Sequence, residues 1–85
     1  MVLDSIKEGS IVISAAGRDC GNAMAVISMQ DSVVYVADGK ERRLASPKKK
    51  NIKHVRATHS SIELAQLTDK KLRQTLRAFV LQESE

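Results

Sequence analysis

The sequence predicts a mainly β fold with one C-terminal helix, the strands curling into a small, strongly bent antiparallel sheet or barrel. Three observations carry this. The first two thirds of the chain hold short runs rich in β-branched residues, punctuated by glycines and polar turns. The last third changes period, with Leu72, Leu76, Phe79 and Val80 at i, i+4, i+7 and i+8. Finally, 85 residues leave room for one compact domain plus a tail, and with one Phe, one Tyr and no Trp its core must come from Val, Ile, Leu, Ala and Met.

Taken in order, residues 10 to 15 read as a first strand, bounded by Gly9 and Gly17. Residues 23 to 29 and 33 to 37 read as the second and third, with the polar turn 30 to 32 between them. Asp38-Gly39 is a hairpin signal, because both residues suit a tight reversal, so a fourth strand is expected at about 41 to 45, paired back on the third. Ser46-Pro47 breaks the run. The segment from Lys48 to Lys53 is too charged to be buried, and a last strand around 51 to 57 would close the barrel through Ile52 and Val55. Residues 58 to 67 fit neither period. Thr68 supplies a helix N-cap and Asp69 a first-turn acid, so the helix should run from 69 to 82, its four apolar residues packed on the barrel. The barrel is thus assigned to 1–58 and the connecting segment and helix to 59–85, as one domain.

Charge is unevenly distributed. Residues 40 to 56 hold eight Lys or Arg (Lys40, Arg42, Arg43, Lys48, Lys49, Lys50, Lys53 and Arg56) against the single acid Glu41, a local balance of +7. The remainder holds six basic and nine acidic residues, net −3. A basic band on an acidic body directs a positive field to one side, which favours a polyanion. Lys48, Lys49 and Lys50, with Arg42, Arg43, Lys53 and Arg56 close in sequence, repel one another unless a partner relieves them, so phosphate binding is preferred over a solvated charge run.

The stretch from Gly9 to Met29 has the form strand, glycine-bounded loop, strand, with Gly17 and Gly21 bracketing Arg18, Asp19 and Cys20. It resembles a KOW motif, and Gly21 matches the glycine that marks that family. The likeness continues through Ala37-Asp-Gly-Lys-Glu-Arg-Arg-Leu44 and Ser46-Pro-Lys-Lys-Lys-Asn-Ile-Lys-His-Val55, which are similar to KOW-bearing large-subunit ribosomal proteins of archaea and eukaryotes and their small bacterial relatives. The resemblance covers roughly residues 7 to 56. It implies an SH3-like barrel, and RNA, ribosomal or otherwise structured, as the partner, with the ribosome as the setting. Cys20 departs from it, standing where a basic residue is expected.

The expected RNA-binding set is therefore the eight cations of the band with His54 and the loop residue Arg18, whose competing role is a local ion pair with Asp19. Gly17, Gly21, Asp38 and Gly39 are expected to shape loops. A band with many cations and almost no rings suits structured RNA better than base stacking on single strands. Tyr35 reads as strand packing. No catalytic set is expected: Cys20 has no neighbouring base, and Asp38 with Glu41 is more simply a turn. His54 and His59 lack partners at metal-site spacing, so neither metal nor cofactor is expected. The single cysteine, the short acidic start and the absence of a membrane-length apolar segment lead us to expect a cytoplasmic protein. The rival reading is a protein-interaction module of the transcription or translation machinery, docking through Ile11, Ile13 and the helix.

Overall fold

The computed structural model describes residues 6–18 and 20–83, the side chains of 82 and 83 excepted. Strand β1 (Ser10–Ser14) pairs antiparallel with β2 (Ala23–Gln30), and β2 with β3 (Val33–Ala37). Beyond β3 lies β4 (Lys48–Asn51), and on the far side of β1 lies β5 (Val55–Ser61), so the sheet order is β4-β3-β2-β1-β5. A helix, α1 (Asp69–Glu83), ends the described chain.

The connection between the two edge strands forces the sheet to curl. In a flat sheet β4 and β5 would stand about 19 Å apart, at about 4.8 Å per strand gap. They are joined only by the 3₁₀ turn Ile52–His54, which rises about 2 Å per residue and spans less than half that distance. The edges must therefore meet at this corner, which makes the sheet the expected SH3-like barrel. Two irregularities help it bend. In β2, Val26 faces Val36 and Ser28 faces Tyr35, leaving Ile27 as an extra residue. Between β1 and β5 the register jumps, and there the Thr58 hydroxyl donates to the Ile11 carbonyl (2.6 Å).

Alternation along the strands builds two cores. Val12, Met24, Val26, Val34, Val36 and Val55 fill the barrel with Ile6, while Ile11, Ala23, Ala25 and Ala37 on the outer face meet Leu72, Leu76 and Phe79 of α1. The bulge at Ile27 switches parity, so Met29 and not Ser28 packs on the inner cluster. The central strands are buried on both faces, which is why they read as nearly continuous apolar runs. The three outer alanines allow the helix to lie close. Its first turn is capped by Thr68, whose hydroxyl accepts from the Lys71 amide (3.1 Å).

Several expectations change. No strand forms at 41 to 45. Asp38 gathers the chain instead: its carboxylate accepts from the amides of Lys40 (2.8 Å) and Arg42 (2.9 Å), while its own amide and that of Gly39 donate to the Arg42 carbonyl. This closes a compact loop over 38–47 in which Gly39 alone takes the positive φ (+78°), not a two-residue hairpin. The strand that pairs with β3 is the lysine triplet itself, Val36 opposite Lys48, Tyr35 opposite Lys49 and Val34 opposite Lys50. An edge strand tolerates lysines because alternate side chains reach solvent. Yet Lys50 is only 8% exposed, contrary to the expectation that this segment stays outside. The last strand begins at Val55, after the 3₁₀ turn, and runs to Ser61. On α1, three of the four stripe residues are buried; Val80 is 44% exposed, because at 3.6 residues per turn it lies at the margin of the buried arc.

Candidate nucleic-acid interface

The β1–β2 loop is held by its own backbone. The Ser14 amide donates to the Asn22 carbonyl (2.9 Å), and the Gly21 amide to the Ser14 carbonyl (2.7 Å). Gly21 has φ +92°, a left-handed conformation that a Cβ opposes, though nothing lies within 4 Å of where a Cβ would stand. Glycine is needed there for the backbone and not for space. Arg18 and Cys20 are exposed on this loop, while Asp19, the suggested partner of Arg18, lies outside the described residues.

Two hydrogen bonds bring the basic band to this loop. The Lys50 ammonium donates to the Ala16 carbonyl (3.0 Å), and the Ala15 amide donates to the His54 carbonyl (2.8 Å). The loop with Arg18, the end of β4 and the 3₁₀ turn with Lys53 and His54 therefore meet at one corner of the barrel, and Arg18, Lys53 and His54 are all exposed there. Asn51 fixes the turn, its side chain accepting from the Lys53 amide (2.8 Å).

The triplet divides. Lys48 and Lys50 lie opposite the inward Val36 and Val34, half-buried and buried respectively, whereas Lys49 lies opposite Tyr35 on the outer face and is exposed. Arg56, opposite Ile13 on β5, is exposed as well. Lys40, Arg42 and Arg43 are exposed but form a second group, because their loop is docked on the helix: the Leu44 amide donates to the Asp69 carboxylate (2.8 Å), and Arg73 donates to the Gly39 carbonyl (2.7 Å). Gly39 is buried at this junction, where an added Cβ would collide with the Asp69 carbonyl.

The helix adds cations that the sequence reading left out of the site. Lys70, Arg73 and Arg77 line an open groove of about 730 Å³ together with Lys40 and, from the β1–β2 loop, Asn22. Their spacing of three and four residues was the available signal, since it puts all three on one face of the helix. Among the described residues, no group of three or more His, Cys, Asp or Glu is placed to hold a metal ion.

No protein-family model matches the chain. It is similar to the large ribosomal subunit protein eL14 of Methanococcus vannielii, with 32% identity over 60 residues, covering 71% of this chain and 73% of the relative.

Proposed function

The chain belongs to the family of the large ribosomal subunit protein eL14, a family of ribosomal proteins, and from that premise we propose that it binds structured ribosomal RNA. In this reading it acts by binding alone, and cytoplasmic ribosomes are where it works. Contact is made at the barrel corner by Arg18, Lys49, Lys53, His54 and Arg56, with Lys40, Arg42 and Arg43 on the adjoining loop. Lys48 and Lys50 support the site from β4, Lys50 by tethering the loop through Ala16.

The observation that carries the proposal is the convergence of the glycine-bounded loop with the lysine-bearing edge strand and the 3₁₀ turn, through the bonds from Lys50 to Ala16 and from Ala15 to His54. A set of many cations with few neighbouring rings, Tyr35 and the His54 imidazole, suits a phosphate backbone of fixed shape better than unstacked bases. The protein-docking alternative has less support, since Ile11 and three of the four stripe residues of α1, Leu72, Leu76 and Phe79, are buried in one cluster. Crosslinking in cells followed by sequencing of the attached RNA tests the proposal. Enrichment of large-subunit ribosomal RNA is expected; messenger RNA in proportion to its abundance would refute the ribosomal assignment.

A further inference from the structure

Helix α1 packs its buried side on the barrel, and an adjoining face carries Lys70, Arg73, Gln74 and Arg77 at i, i+3, i+4 and i+7 along the groove. At 1.5 Å rise per residue this row spans about 10 Å. Across the groove stand Lys40 and Asn22. Four cations therefore line it against two acids, Asp38 and Glu41, and Asp38 already accepts two backbone amides. Arg73 spends one nitrogen on the Gly39 carbonyl and fixes the groove wall, while Lys40, Lys70 and Arg77 are exposed.

We propose that this groove is a second track for the sugar–phosphate backbone of the same RNA, so that the RNA crosses from the barrel corner over the β1–β2 loop onto α1. The inference rests on the RNA-binding reading and extends its site to residues that the basic band does not contain. Continuity favours one polyanion over a separate acidic protein segment. Asn22 of the groove belongs to the loop that carries Arg18, and Lys40 belongs to the loop that carries Arg42 and Arg43. The large exposed apolar residues, Val80 (44%) and Leu81 (61%), line the end of the groove one turn beyond Arg77, so the cations from Lys70 to Arg77 form the part of the groove nearer the loops.

The test compares three double variants of the full chain, each first shown by circular dichroism to be folded. Their affinity for an RNA stem-loop of about 20 base pairs, longer than the roughly 16 that a shape-reading domain spans, is measured across a salt series. Lys70→Gln with Arg77→Gln should weaken binding about tenfold or more at low salt and reduce the log–log salt slope by about 2, near 0.9 for each lost phosphate contact. Lys7→Gln with Lys71→Gln removes the same charge from exposed positions outside the groove and should leave the slope unchanged. Equal losses in these two variants would mean that only net charge matters and would overturn the groove. Wild-type binding by the groove variant, beside lost binding by Lys49→Gln with Lys53→Gln, would overturn it while leaving the barrel site standing. Unchanged binding in all three would remove the RNA reading itself.

Discussion

Lys49 and Lys50 are neighbours of identical chemistry, yet replacing each by glutamate should have very unequal effects on stability. The Lys50 side chain is 8% exposed and its ammonium donates to the Ala16 carbonyl, whereas Lys49 is exposed on the outer face of β4. Lys50→Glu removes a charge-assisted hydrogen bond worth about 2 kcal/mol and sets a carboxylate against a carbonyl oxygen. Leaving a buried charge without its partner costs about 3–5 kcal/mol, so we expect a total near 4 kcal/mol after partial relaxation. At about 4–8 °C per kcal/mol for a domain of this size, the melting temperature should fall by about 15–30 °C. Lys49→Glu should stay within about 0.5 kcal/mol of the wild type. Urea denaturation followed by far-UV circular dichroism measures both. Equal stability of the two variants would refute the inward placement of Lys50 and with it the tether that holds the loop. Reversing the whole triplet would unfold the β4 edge through Lys50, so lost affinity in that variant would report unfolding.

Leu72 is fully buried against Ile11, Ala23, Ala25 and Ala37, on strands that cannot collapse into a void, so Leu72→Ala should cost about 3 kcal/mol in urea melts; a loss under 1 kcal/mol would show the helix is not docked there. The two glycines should separate strain from space. Gly21→Ala should cost about 1 kcal/mol for its positive φ alone, and Gly39→Ala clearly more, because its Cβ would also meet the Asp69 carbonyl; equal losses in thermal melts would contradict this.

The first three strands and the helix were legible because their residues state their environment directly. β-branched runs buried on both faces have few alternatives, and the stripe of Leu72, Leu76 and Phe79 has the helical period. Strand β4 was not legible. Lys48, Lys49 and Lys50 carry no apolar signal, and what makes them a strand is the open edge of β3, a property of the assembled sheet. The same holds for the candidate site. Its cations could be counted in the sequence, but their division into a barrel corner and a helix groove could not be read there. It depends on backbone carbonyls at Ala16, Gly39 and His54, and a carbonyl has no signature in a sequence. The glycine at position 21 was readable because only backbone geometry calls for it, while the burial of Gly39 beneath α1 follows from a contact 30 residues away in the chain.

The central claim is that exposed cations at the barrel corner bind structured RNA through its phosphates. Its most direct test is the salt dependence of affinity for a large-subunit ribosomal RNA fragment, measured for the wild type and for Lys49→Glu with Lys53→Glu, which spares the Lys50 tether. The account predicts a log–log slope of about −3 to −6 for the wild type, reflecting several phosphate contacts. It predicts at least tenfold weaker binding and a shallower slope for the variant, with unchanged thermal stability. A folded variant that binds with wild-type affinity and slope would contradict it.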